Sequence, residues 1–380
     1  MRIDRIIFTV VFWIMILVPA PLVLTGLSGD TSLEARVLVP YPAPTWATSY
    51  KKQTYEAVSA ALEDRMPLRT GLVGFRSSLA RQGLIPNPFD KVVLGQDGWL
   101  YVATSFDPHC PEDDRATIAA RLSEVADLLE QHDIPFLVAL IPNKASIHES
   151  GIPGWIESEH DTAQERTNAM RLQLIDEGSW FIDLVPPLRT RHRASPDDPL
   201  YYPTDTHWNW RGAEVFIEAI VERLHPGLYD PDEIVLIQTV PAHLDLDRLS
   251  GSSVQRELNY YAARRPGTTE LVLQSQAQPI PAIVTTKGGD KDRLIAGDTL
   301  LVRDSFWDHV AAVGAEYFES LASVHATDAQ NLQALAKAMA QSDTVIFETG
   351  ERKFCEVMLS TIAADTFSEL LTKALEDRDH

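Results

Sequence analysis

Six consecutive apolar residues, Phe136-Leu137-Val138-Ala139-Leu140-Ile141, are stopped abruptly by Pro142-Asn143-Lys144. A run so short and so uniformly apolar reads as a strand buried on both faces, the state of a central strand in a parallel sheet. Shorter runs recur at Trp180-Phe181-Ile182-Asp183-Leu184, over 299–303 and at Thr344-Val345-Ile346-Phe347. Helical spacing of apolar residues fills the intervals, over 116–131, 166–176 and 212–224, and again over 307–318, 330–341 and 361–376. Strands separated by helices predict an α/β fold: a mostly parallel sheet flanked by helices. Residues 92–102 read as a small hairpin turning at Gln96-Asp97, and 51–82 as helical. Residues 225–298 lack clear periodicity and read as an insertion with some strand.

The N-terminus adds a second constraint. Residues 6–27 are nearly all apolar, about the length that spans a bilayer. Arg2 and Arg5 precede them and no positive residue follows until Arg36, which by the positive-inside rule keeps the start in the cytoplasm and exports the rest. A cleaved signal peptide is the competing reading, but no clean Ala-x-Ala follows. The expectation is an N-terminal transmembrane anchor over 1–29, single-pass in an inner membrane, with the catalytic domain in the periplasm. Residues 30–90 would then be linker and helical segment, with Pro40, Pro42 and Pro44 marking the extended part, and 91–380 the main domain.

A net charge of -21 argues against nucleic acid as a partner. Arg189, Arg191, Arg193 and Arg211 could still form a local basic groove for a polyanion, or be scattered solvated side chains. The two cysteines, Cys110 and Cys355, could pair in an exported chain; they have no neighbours that would make a zinc site, and no metal or cofactor is expected.

Chemistry concentrates in two segments about a hundred residues apart, Tyr201-Tyr202-Pro203-Thr204-Asp205-Thr206-His207-Trp208-Asn209 and Leu300-Leu301-Val302-Arg303-Asp304-Ser305-Phe306. A serine needs a base to take its proton, and an imidazole needs a carboxylate to fix its tautomer. Ser305, His207 and Asp205 supply that set. The alternatives are a metal half-site or an Asp-capped turn for Asp205 and His207, and a helix N-cap for Ser305. His309 is a second, lower-ranked base. Trp208 and Trp210 could stack on a sugar or pack beneath the loop. The Ser305 backbone N–H, with Arg352 or Lys144, could meet an oxyanion.

Taken in order, several segments resemble the alginate O-acetyltransferase family, the AlgJ/AlgX/AlgV group of SGNH-hydrolase-like proteins. These are Glu34-Ala35-Arg36, Glu63-Asp64-Arg65-Met66-Pro67-Leu68-Arg69, Val93-Leu94-Gly95-Gln96-Asp97-Gly98-Trp99-Leu100-Tyr101, Ile141-Pro142-Asn143-Lys144, Thr204-Asp205-Thr206-His207-Trp208-Asn209 and Asp304-Ser305-Phe306. The resemblance implies a circularly permuted SGNH-hydrolase-like fold and an Asp-x-His pair with a serine nucleophile, carried onto Asp205, His207 and Ser305. Arg352, Lys144, Trp208 and Asn209 are its oxyanion or substrate candidates. The implied activity is acetyl transfer to an exported polysaccharide, with a membrane-bound O-acyltransferase partner supplying acetyl groups. An acetyl esterase, or a catalytically impaired polysaccharide-binding protein, would carry the same signature. Ordinary SGNH enzymes place an oxyanion asparagine after the strand that matches 345–347; this chain has Glu348-Thr349-Gly350-Glu351-Arg352.

Overall fold

The computed structural model describes residues 89–378, except 108, 109, 253 and 278, together with scattered positions before residue 89. The expected anchor (6–27), the proline-rich linker (30–50) and the segments 34–36 and 63–69 lie outside the described residues, as does most of the helix expected over 51–82. Among the described residues, no helix is long and apolar enough to cross a membrane. The two longest, Glu112–Glu130 (α1) and Glu157–Glu177 (α2), are studded with Asp, Glu and Arg that a hydrocarbon layer would not accept. The expectation of a transmembrane helix and an inner-membrane location is corrected to this extent: no described helix bears it out, and the expected anchor is not among the described residues.

The chain divides into two compact units, one of Met1–Leu94 and Ala242–Arg256, the other of Gly95–Pro241 and Glu257–His380. In the first, strand β1 (Val92–Leu94) is buried throughout, and the carboxylate of buried Asp247 pairs with Arg256 at 3.0 Å. The second contains strand β2 (Leu100–Val102) and the turn before it, formed where expected. Trp99 N–H donates to the Gln96 carbonyl at 2.9 Å, and Asp97 and Gly98 take φ of 51° and 83°. The glycine relieves the strain of that second left-handed position.

The main sheet of the second unit is built from β3 (Phe136–Ile141), β4 (Phe181–Asp183), β7 (Val272–Gln276), β8 (Ala282–Thr286), β9 (Ile295–Arg303), β10 (Phe318–His325) and β11 (Thr344–Gly350). Its order is β4-β3-β11-β9-β10-β8-β7. The first five run parallel; β8 and β7 join antiparallel at one edge, so the sheet is mixed. The remaining strands, β5 (Ile234–Ala242) and β6 (Arg256–Ala263), pair separately.

Alternation along the strands feeds two cores. Phe181, Val138, Phe347, Val302 and Val324 line up across the sheet and pack on one face. There they meet α1, α6 (Leu332–Gln341), α7 (Phe354–Ser360) and α8 (Phe367–Arg378). Leu137, Ile346 and Leu301, one residue out of step, face the other core. Helix α4 (Trp210–Leu224) covers that side with Phe216, Ile217 and Ile220. This two-sided burial is why β3 reads as an unbroken apolar run. Cys110 and Cys355 are disulfide-bonded, Cα to Cα 5.8 Å, tying the start of α1 to α7.

Several expectations need correction. Residues 307–318 are not one helix: α5 (Ser305–Asp308), a turn at Ala311–Gly314 and a 3-10 turn at Ala315–Tyr317 lead into β10, which starts at Phe318. Pairing with β9 and β8 overrides the local pattern there. Helix α2 begins nine residues before 166, in a polar stretch that shows no apolar spacing. The segment expected as an insertion supplies β5 to β8 and the first residues of β9.

Candidate active site

In parallel sheets, ligands sit beyond the carboxyl ends of the strands. Here the ends of β3, β11 and β9 lie side by side and are stitched together. Asn143, just past β3, gives its N–H to Glu351 Oε2 at 2.8 Å. Gly350, the last residue of β11, gives its N–H to Asp304 Oδ2 at 2.7 Å, just past β9. The other oxygen of Asp304 caps α5, accepting from Phe306 N–H at 2.8 Å. Ser305 therefore enters a short helix whose first turn is fixed from two directions. Asp304 N–H donates in turn to Glu348 at 3.1 Å, whose carboxyl is fully buried; burial and the neighbouring Asp304 hold its pKa well above the ordinary carboxylate range.

The Asp205/His207 loop, unlike the other two segments of the site, does not come off the end of a strand. It follows helix α3 (Val185–Ala194) and an irregular stretch instead, so its position depends on tertiary contacts. Lys144 is the principal one. Only 3% exposed, it sends Nζ to the carbonyls of Tyr202 (3.1 Å), Pro203 (2.9 Å) and Asp205 (2.6 Å). The ammonium also lies over the rings of Trp99 and Tyr101, 5.6 and 5.3 Å from their centroids. Leu100 N–H also donates to the Pro203 carbonyl, at 2.9 Å, and Tyr201 hydroxyl donates to the Pro142 carbonyl at 2.6 Å. On the other flank Gly212 of α4 lies against the loop: a Cβ there would come within 2.4 Å of the Leu200 carbonyl.

Held this way, the loop delivers a continuous relay. Asp205 Oδ1 is 2.7 Å from His207 Nδ1 and also accepts His207 N–H at 3.0 Å. His207 Nε2 is 2.8 Å from Ser305 Oγ, across 98 residues of sequence. With Nδ1–H donating to the carboxylate, Nε2 is the lone-pair nitrogen facing the serine. Asp205 is 5% exposed, which strengthens its hold on an imidazolium. His207 packs edge-on against Phe306 (4.9 Å) and stacks on His309 (4.4 Å). Burial, then His207, lower the His309 pKa to about 4. Asp205, His207 and His309 also lie close enough together to contact one ion. Asp205 and His207 direct their mutual bond inward, however, so the set fits the relay better than a metal.

The other expected site residues divide. Arg352 lies over the Phe306 ring at 5.3 Å and reaches Asn143 Oδ1 at 3.4 Å, beside the nucleophile helix. Lys144 is committed to loop carbonyls. Trp208 is fully buried, its indole N–H on the Phe306 carbonyl at 3.2 Å, so it supports the nucleophile from below. Asn209 is the N-cap of α4, accepting from Arg211 and Gly212 N–H, and gives its amide to the Pro199 carbonyl at 2.6 Å. The arginines expected as a groove are paired off: Arg189 with Glu149, Arg191 with Glu214 and Glu218, Arg211 with Asp198, while Arg193 bonds the Arg189 carbonyl. The double clasp of Asp304 is a contact that sequence reasoning missed; the Asp-Ser-Phe order was its one signal.

Comparison with known proteins fits this geometry. A curated relative described as a probable alginate O-acetylase AlgJ, from Pseudomonas syringae pv. tomato, is 30% identical over 162 residues, covering 41% of this chain and 40% of the relative. A second of the same description, from Pseudomonas putida, is 29% identical over 132 residues, covering 34% and 33%. The matches thus span well under half of those relatives. Among solved structures, Bacillus cereus PatB1 with a sulfonyl adduct aligns at a TM-score of 0.55 and 15% identity, over 71% of this chain and 98% of that one, a likeness of fold. The family model "SGNH hydrolase-like domain, acetyltransferase AlgX" matches residues 92–299, which include Asp205 and His207 and stop short of Ser305. With more than half of its length matched and a Ser-His-Asp relay suited to SGNH-type acyl transfer, the chain belongs to this family of SGNH-hydrolase-like acetyltransferases.

Proposed function

We propose that this protein is an O-acetyltransferase that carries an acetyl group on Ser305 and delivers it to a hydroxyl of a polysaccharide. The unbroken Asp205–His207–Ser305 relay carries this reading. His207 Nε2 takes the Ser305 proton as Oγ attacks the acetyl carbonyl of an ester donor. The tetrahedral intermediate collapses, the donor alcohol leaves with that proton, and acetyl-Ser305 remains. An acceptor hydroxyl then loses its proton to His207 and attacks; Ser305 recovers the proton and the acetylated sugar departs. Phe306 N–H is already taken by Asp304, so the Ser305 N–H is the backbone donor assigned to the oxyanion, with Arg352 as the cation beside it. The acceptor hydroxyl distinguishes this reaction from hydrolysis by the same relay.

The test is intact-mass analysis of the protein incubated with an activated acetyl ester, alone and with oligosaccharides, with Ser305→Ala as control. Acetyl on Ser305 that moves to sugar supports the proposal. Acetate release insensitive to acceptor would make the protein an esterase. No label at all would count against the relay as a working site.

A further inference from the structure

A cleft of about 270 Å³ opens directly beside the relay. His309, stacked on His207, forms its inner wall. Trp210, at the start of α4, stacks on Tyr261 of β6 with ring centroids 5.0 Å apart and planes 24° from parallel. Tyr202, Asn209, Asn259 and Tyr260 add aromatic and amide surface, and most of the remaining lining is aliphatic. Strand β6 lies against the catalytic loop, the Asn259 backbone facing the Tyr202 hydroxyl. Its volume is near the small end of ligand sites, roughly 300–1,000 Å³.

The charge of this lining is informative. Among the described residues no lysine or arginine lines it; the single charged side chain there is the Asp308 carboxylate, whose own partner is Arg303 at 2.9 Å. The arginines that could have supplied a basic groove are spent on carboxylates. The whole chain carries -21, a field that repels polyanions. A bound uronate would bring a carboxylate with no cation to receive it, and an unpaired desolvated charge is costly. Aromatic faces with an amide suit a ring of C–H and O–H groups.

Resting on the acetyl-transfer reading, we propose that this cleft is the acceptor subsite and that it takes an uncharged sugar ring rather than a uronate. The acceptor is then a neutral glycan segment whose hydroxyl approaches Ser305 past His309.

Two measurements test this. In the first, acetyl-Ser305 is formed with an activated ester, and the ratio of transfer to hydrolysis is measured with neutral gluco- or manno-oligosaccharides and with oligomannuronate. Neutral acceptors should raise the ratio at least tenfold over oligomannuronate, and Trp210→Ala or Tyr261→Ala should lower it by about tenfold. Equal or better transfer to oligomannuronate, or an unchanged ratio in both variants, would overturn the proposal. In the second, Ser305→Ala is titrated with the same oligosaccharides by calorimetry, independently of any chemistry. Neutral-sugar binding lost in Trp210→Ala supports the subsite even where no acetyl-enzyme forms, an outcome that would sink only the transfer reading. Binding of oligomannuronate alone would overturn the subsite.

Discussion

Replacing Lys144 by methionine removes one ammonium and little volume. Three carbonyl contacts disappear, to Tyr202, Pro203 and Asp205 at 3.1, 2.9 and 2.6 Å. The Pro203 carbonyl keeps Leu100 N–H, so the loss falls mainly on the other two. Hydrogen bonds to charged groups contribute about 1.5–3 kcal/mol each. Removing one partner of a buried charged set costs about 3–5 kcal/mol, which bounds the total. With an unfolding entropy of about 2.1 cal/mol/K per residue, a folded body of about 290 residues shifts by roughly 1.6 °C per kcal/mol, giving a Tm about 5–8 °C lower. The chemical cost adds to this. The loop carries His207, and a displacement near 1 Å at a reacting group costs about 100-fold in rate. Thermal unfolding and the rate of Ser305 acetylation by an activated ester, measured below the new Tm, give both numbers. If Lys144→Met melts within about 2 °C of the parent and acylates within about threefold, then Lys144 does not position the loop, and the reasoning fails.

Other expectations follow from the same coordinates. Asp205→Asn, which offers His207 the wrong hydrogen-bonding partner, should slow acylation by about 10³–10⁴-fold with little change in Tm; a loss under tenfold would remove Asp205 from the relay. Changing Cys110 and Cys355 together to serine opens a link spanning 245 residues and should lower stability by about 2–5 kcal/mol in denaturant titration, and a reductant should then have no further effect. For His309, held to about 4 when folded against 6.5 as its ordinary value, the unfolded chain binds more protons between those limits. Stability therefore falls as pH drops from 6.5 towards 4, and His309→Gln should flatten that slope in chemical denaturation at pH 4.5 and 7. An unchanged slope would place the proton uptake elsewhere, with His148, held to about 3 by burial, the next group to examine.

Where one physical rule dominated, the structure could be read from sequence. The run 136–141 is buried on both faces, so apolar continuity alone identified it. The two halves of the relay were visible chiefly through the ordered motifs of the family resemblance; the residue types alone also fit a capped turn at Asp205 and a helix N-cap at Ser305. What stayed hidden depended on long-range contact. Strand β10 exists through its register with β9 and β8, which no local window contains. Lys144 looked like an oxyanion donor because it follows a strand. Its burial under Trp99 and Tyr101, and its three carbonyl partners 58–61 residues away, come from the fold. Trp208 and Asn209 show a related ambiguity: beside a catalytic histidine, a core side chain and a helix cap look the same in sequence as a substrate contact. Of the proposed acceptor cleft the sequence offered only Trp210 as a sugar contact; Tyr260 and Tyr261 lie in a stretch without periodicity, and their nearness to Trp210 comes from the fold.

The grip of Lys144 on its loop has an evolutionary consequence. Each hydrogen bond described above for its ammonium goes to a main-chain carbonyl, and carbonyls are the same whatever side chain they carry. Side chains of the loop that face solvent or substrate can therefore drift without loosening the hold on His207. Chemistry and recognition become separable traits. A lineage could exchange one acceptor for another by altering Tyr202 or the strand opposite it, while the reacting atoms stay where they are.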